Sequence, residues 1–142
     1  MTDRPVPNSL QEFIWPTRVY YEDTDAAGVV YHSNYLKFME RARTEWLRVA
    51  GFSQQTLAET EGIVFVVAKM NIEFNSPARF DELLNICSRV TDHSGAGLMF
   101  EQTIINETGT VKCRADVQIV CVDTETFKPK RIPTSIKAKL NL

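Results

Sequence analysis

The residues best able to do chemistry crowd into one stretch, Tyr21-Glu-Asp-Thr-Asp-Ala-Ala-Gly-Val-Val-Tyr-His-Ser-Asn-Tyr35. Two aspartates, Asp23 and Asp25, are followed by a glycine, a histidine and a pair of tyrosines, directly ahead of a helical pattern. The first N–H groups of a helix lack intrahelical partners, and the helix dipole favours negative charge there. A carbonyl oxygen turning into an oxyanion would be stabilised at that place. One preorganised donor of this kind is typically worth about a hundredfold or more in rate. An aspartate is ionised at neutral pH. Held beside a carbonyl carbon, it could attack that carbon or take a proton from an attacking water. Gly28 would let the backbone approach a ligand closely.

The same residues have plainer readings. An aspartate ahead of a helix commonly makes an Asx turn or a cap. Asp23-x-Asp25-x-x-Gly28 also opens like a calcium loop. That pattern fails at Ala27 and at Asn34, where an acidic ligand is needed, and no helix precedes it. Cys87, Cys113 and Cys121 form no CxxC pair and read as free thiols of a reducing compartment. No metal-ligand cluster, P-loop or dinucleotide fingerprint occurs, so no cofactor is expected.

The elements that must position this stretch follow from hydrophobic period. Residues 1–16, with Pro5, Pro7 and Pro16, read as an irregular leader, and 17–142 as a single domain. Thr17 to Glu22 is β-branched and aromatic and predicts a short strand. Tyr35, Phe38, Met39, Ala42, Trp46, Val49 and Ala50 recur at helical steps, opposite Lys37, Glu40, Arg41, Thr44, Glu45 and Arg48. Ser33 or Asn34 is expected to cap this helix and Gly51 to end it. Phe52 to Glu61 suggests a second, short helix.

From residue 63 the period changes to two. Four strands are expected, the last the clearest: Val111, Cys113, Ala115, Val117, Ile119 and Cys121 against Lys112, Arg114, Asp116 and Gln118. Ser76-Pro77, Asp92 to Gly95 and Glu107 to Gly109 supply the breaks. His93, in one such break, is expected to be solvent-exposed. Strand, long helix and four strands pack most economically as one antiparallel sheet around one helix, an α+β arrangement. Its long sheet edges predict a homodimer at least.

Composition sets the outer limits. The 142 residues suffice for one domain, and a net charge of −2 gives no general nucleic-acid binder. The longest apolar run, Ile63 to Ala68, is six residues, far below a membrane span, and the N-terminus shows no secretory signal. Charge is nonetheless segregated. Residues 128–142 carry five cations, Lys128, Lys130, Arg131, Lys137 and Lys139, and no acid, leaving eleven bases against eighteen acids elsewhere. Such a tail is either a solvated surface or a dock for phosphates, an acidic protein or anionic lipid headgroups. Ile132, Ile136 and Leu140 make it a candidate amphipathic helix.

VYYEDTDAAGVVYHSNYLKFMERARTEWLR (19–48), FVVAKMNIEFNSPARFDE (65–82) and VCVDTETFKPKRIP (120–133) resemble hotdog-fold acyl-CoA thioesterases of the 4-hydroxybenzoyl-CoA thioesterase type. The likeness is greatest to the bacterial YbgC group, which is associated with the Tol-Pal gene cluster. The resemblance implies a long central helix wrapped by a five-stranded antiparallel sheet, hydrolysis of acyl-CoA to free acid and CoA, and a cytoplasmic enzyme, peripheral at most to the inner membrane. It assigns catalysis to Asp25, as nucleophile or general base, and a loop-stabilising hydrogen bond to Asp23. It gives His32 the backbone N–H that meets the thioester carbonyl, with the imidazole as an accessory. Gly28, Tyr31, Glu40, Phe65 and Val67 become substrate-contacting candidates, with Phe65 to Met70 supplied by a partner subunit of a dimer or tetramer. Ala27 and Asn34 depart from the group's usual DAGGVVYHASY, which bears on acyl preference. A hotdog dehydratase using His32 as base, or a non-enzymatic acyl-binding module, are the alternatives.

Overall fold

The computed structural model describes residues 12–142. Five strands, β1 (Phe13–Arg18), β2 (Ile63–Phe74), β3 (Leu83–His93), β4 (Gly97–Asn106) and β5 (Val111–Asp123), form one antiparallel sheet. Three helices, α1 (His32–Val49), α2 (Gln54–Glu61) and α3 (Thr134–Lys139), complete the chain. The sheet order is β1-β3-β4-β5-β2. The two hairpins β3–β4 and β4–β5 make its centre, while β1 and β2 form its edges.

The sheet buries one face of α1. Tyr35, Phe38, Met39, Ala42 and Leu47 point inward and share a core with Ile86, Val90, Phe100, Ile104 and Val117. Tyr35, Phe38, Met39 and Ala42 belong to the helical stripe read from the sequence, meeting the period-two face of the strands; Leu47 joins them though it was not read in the stripe, and Val49, which was, is exposed. Trp46 sets its ring edge-on against Phe100 at 4.9 Å. Gly51, at φ +98°, ends the helix as expected, because a left-handed residue there strains any side chain. Ile132, Ile136 and Leu140 bury the apolar side of the short C-terminal helix.

Three expectations are corrected. The first strand begins at Phe13, inside the segment read as an irregular leader, and Thr17 to Glu22 is not a strand beyond Arg18; Tyr21–Asp23 is a single 3-10 turn. Pro16 reads as a breaker, but β1 is an edge strand, where proline's missing N–H is tolerated. Residues 1–11 of that leader lie outside the described residues. Second, the cap of α1 is Tyr31 without a side-chain cap bond, not Ser33 or Asn34. Asn34 spends its amide elsewhere, as described below. Third, Lys112 is buried rather than solvated. Its Nζ donates to Pro77 O at 3.1 Å and lies 3.6 Å from Glu82 Oε1, fastening the 75–82 loop to β5.

The core holds one polar knot. Gln102 is fully buried on β4, between Phe100 and Ile104 on the helix-facing side. Its Nε2 donates to Met39 O at 3.0 Å and to Ser88 Oγ at 2.9 Å, and its Oε1 accepts from Arg43 Nη1 at 2.8 Å. One amide thus ties β3, β4 and α1. All three cysteines are buried and outside any disulfide, and burial pushes Cys113 up to about 12.

Gln102→Leu keeps the volume but takes away the partner of Ser88 Oγ and of Arg43 Nη1. A loss of about 1–3 kcal/mol is expected, the usual penalty for buried groups left unpaired. Chemical denaturation checks this; an unchanged or raised midpoint would show that the knot does not stabilise the fold.

Candidate active site

The segment ahead of α1 is organised by Asp23. Its carboxylate is buried, with Oδ2 accepting from Tyr20 N and Oδ1 from Asn34 Nδ2, both at 2.8 Å. Its carbonyl accepts from Tyr31 N at 2.9 Å. Asp23 therefore clamps the 3-10 turn to the first turn of α1, which is the loop-stabilising role the resemblance implies. An acid near a helix N-terminus is also favoured by the dipole.

Between these clamps the chain makes a tight hairpin. Thr24 bridges Val30, Asp25 N donates to Val29 O at 2.9 Å, and Gly28 N donates to Asp25 O at 3.0 Å. Gly28 sits at φ +78°, and a Cβ there would meet open space within the chain. Its glycine is required by the left-handed turn. Asp25 lies exposed at the hairpin's start. Its Oδ1 accepts from Ala27 N at 2.8 Å, an Asx turn, while Oδ2 has no partner among the described residues.

Helix α1 begins seven residues later. His32 and Ser33 offer backbone N–H groups that have no acceptor among the described residues. The His32 ring is exposed, packed on Tyr31 at 4.4 Å and edge-on to Phe74 at 6.4 Å. Tyr31 is itself half exposed.

The 75–82 loop supports this cluster. Val30 N donates to Ala78 O at 2.8 Å, Val29 bridges Arg79, and Phe80 stacks on Tyr21 at 3.9 Å. Tyr35, on α1, accepts from Ala78 N through its hydroxyl at 3.0 Å, and burial raises its pKa, so it stays neutral. Burial alone would raise Glu82, but the Arg79 N–H, the Asn106 amide and the Lys112 amine hold its carboxyl below the ordinary value. Sequence reasoning assigned this loop only as a break between strands. Its polar contacts join residues tens of positions apart and leave no local signature.

A separate cavity of about 240 Å³ opens between α1, α2 and the sheet. It is lined by Glu40, Arg43, Thr44, Trp46, Leu47, Gln54, Phe65, Val67, Leu98, Phe100 and Ile119. The predicted contacts therefore fall into two groups. Glu40, Phe65 and Val67 share this cavity; Asp25, Gly28, Tyr31 and His32 gather at the start of α1 and are not among its lining. Glu40 binds Thr44 Oγ1 through Oε2 at 2.8 Å. Arg43 and Trp46 were missed as cavity residues, the tryptophan because its helical spacing reads as core packing.

His93 is exposed at the end of β3, as expected. The C-terminal cations are partly engaged: Lys130 Nζ lies 3.9 Å from Asp123 Oδ2, Lys137 Nζ donates to Ser94 O at 3.0 Å, and Lys139 lies over the Phe52 ring. Among the described residues no His, Cys, Asp or Glu side chains gather as a metal site, and no helix is long and apolar enough to cross a membrane.

The sequence model of the thioesterase-like superfamily matches residues 19–140. An acyl-CoA thioester hydrolase YbgC of Escherichia coli is 51% identical over 127 residues, which cover 89% of this chain and 94% of the relative. An acyl-CoA thioesterase YbgC of Haemophilus influenzae is 46% identical over 126 residues, covering 89% and 92%. Among solved structures, a probable thioesterase from Bartonella henselae superposes with a TM-score of 0.81 at 42% identity, covering 86% of this chain and 99% of that one. A 1,4-dihydroxy-2-naphthoyl-CoA thioesterase from Synechocystis gives 0.84 at 25% identity, covering 91% and 95%. The long helix on a five-stranded sheet, the Asp23-clamped loop ahead of it and these likenesses together make the chain a hotdog-fold member of the thioesterase-like superfamily, in its YbgC group.

Proposed function

We propose that this chain hydrolyses acyl-CoA thioesters to a free carboxylic acid and CoA, with Asp25 and the first N–H groups of α1 as its reacting centre. The observation that carries the reading is the hairpin before α1. It holds Asp25 by one carboxylate oxygen and leaves the other open, a few residues from two backbone N–H groups without acceptors. The thioester carbonyl oxygen accepts from the His32 N–H as negative charge develops on it. The free oxygen of Asp25 either attacks the carbonyl carbon, giving an anhydride that water then opens, or takes a proton from the attacking water. CoA leaves as the thiolate. The His32 imidazole is an accessory beside the leaving group.

One protomer is not a whole site in this reading. Residues 32 and 40 are eight apart on α1, about 12 Å along its axis. Edge strand β2 supplies the connection. It is twelve residues long, pairs among the described residues only with β5, and carries an unpaired residue, Ala68, at its midpoint. A long uncovered edge invites pairing with a second copy, and a two-fold axis makes that pairing antiparallel. Phe74 of one copy, with His32 beside it, then lies against the Phe65 end of the other. The reacting centre of each protomer meets the cavity mouth of its partner. Two such dimers would make a tetramer. The basic C-terminal segment remains a candidate dock for CoA phosphates, an acidic carrier protein or anionic lipid, on a protein acting in the cytoplasm.

Asp25→Asn keeps an oxygen for the Asx turn but removes the carboxylate. Thiol release from acyl-CoA should fall by about 10² to 10⁴, the range for a lost acid–base group, with an unchanged melting temperature. Wild-type rates in the variant would remove Asp25 from the reaction.

The shared site has its own test. Asp25→Asn and the cavity-filling Val67→Trp are each expected to be inactive. Mixed one to one and allowed to exchange subunits, they should recover about a quarter of wild-type activity, because half the dimers are mixed and each carries one intact site. No recovery despite exchange shown by mass spectrometry would place the whole site within one chain.

A further inference from the structure

The cavity is apolar but for one side. Trp46, Leu47, Phe65, Leu98, Phe100 and Ile119 supply its hydrophobic walls. Gln54 binds the backbone of Phe65 through both ends of its amide, at 3.0 Å each. Thr44 gives its hydroxyl hydrogen to Glu40. Two charged groups stand in the lining, the Glu40 carboxylate at the exposed rim and the guanidinium of Arg43 deeper along the helix.

Arg43 is held, not merely present. Its Nη1 donates to Gln102 Oε1, and Gln102 cannot turn over because its Nε2 is committed to Met39 O and Ser88 Oγ. The other guanidinium N–H groups have no acceptor among the described residues. No buried side-chain nitrogen or oxygen among those residues lacks a partner, so Nε and Nη2 of Arg43 are not sealed in protein, and Arg43 lines the cavity. Burial lowers the pKa of Arg43, a sign of its reduced hydration.

We propose that Arg43 is a specificity residue, reading a neutral oxygen, such as a hydroxyl, on the far part of the acyl group. This rests on the hydrolase reading above, with the acyl group in the cavity. A plain alkyl chain would displace water from the guanidinium and give nothing back. A carboxylate would satisfy Arg43 but meet the Glu40 charge on the same side. A hydroxyl accepts from Arg43 and leaves its own proton for Glu40 or water. Sites that hydrogen-bond a substrate oxygen discriminate strongly against the analogue lacking it, because the site's own group is then left unpaired.

The test compares butyryl-, hexanoyl- and octanoyl-CoA with their terminally hydroxylated and terminally carboxylated counterparts. In wild type, kcat/KM should favour the hydroxylated ester over the plain one by about tenfold or more in at least one pair, as a hydrogen bond to a charged group implies. Arg43→Met should bring that ratio close to one, and Arg43→Lys should restore part of it, with folding followed by circular dichroism. Ratios within twofold for every pair, preference for the carboxylated ester, or a preference that survives in Arg43→Met would each overturn the proposal. If Arg43→Met does not fold, the wild-type ratios and Arg43→Lys still decide. If no ester is hydrolysed, the hydrolase reading fails instead. The same pairs are then compared by calorimetric affinity, where equal binding overturns the assignment of Arg43 and tighter binding of the hydroxylated ester upholds it.

Discussion

The buried carboxylate of Asp23 decides where α1 starts, and the reacting loop takes its shape from that decision. A carboxylate out of water must be compensated by hydrogen bonds. Here the donors come from two directions, Tyr20 N before it and the Asn34 side chain after it. Holding both forces residues 24–30 into a hairpin whose ends lie together. Asp25, two residues on, is thereby turned outward. Two acids of the same type at a spacing of two thus have opposite environments, one hidden and satisfied, the other exposed with an oxygen open.

Helix α1 does two separate things with two separate parts. Its first turn offers unpaired N–H groups, and its middle turns wall the cavity through Glu40, Arg43 and Leu47. These parts lie about two turns apart along the helix axis. The fold leaves β2 as an open edge running along the same interval, with Phe74 near His32 at one end and Phe65 in the cavity at the other. An edge of that length is a liability in a lone chain. In the two-fold dimer proposed above it would join the two parts of α1 across subunits.

The helix, the four long strands and the α+β layering were legible, because burying one face writes a period of 3.6 or two into the residues. The loop chemistry around Asp23 and Asp25 was visible as a cluster, and the family resemblance told the two aspartates apart. What stayed hidden was non-local. Phe13 to Pro16 form a strand only because β3 offers an edge that tolerates Pro16. Lys112 sits on the polar alternation of β5, yet the 75–82 loop folds over it. Gln102 marks nothing in its own strand; its meaning comes from Met39, Arg43 and Ser88, on two other elements. Asn34 looks like a helix cap by position, and only the placement of Asp23 reveals that its amide is already taken.

Asp25 shows why a plain structural reading and a chemical one need not compete. An Asx turn uses one carboxylate oxygen, and the Ala27 N–H supplies that bond. A carboxylate has a second oxygen, and the turn fixes its direction by fixing the first. The turn therefore orients the second oxygen without using it. An aspartate without the turn would sample several rotamers in solvent and meet a carbonyl carbon only in some of them. Gly28 completes the device, since the left-handed backbone at φ +78° closes the hairpin that carries the turn. In the proposed hydrolysis, loop geometry and reactivity depend on the same few bonds, and a substitution that breaks the turn removes the aim of the carboxylate even where it leaves the carboxylate itself in place.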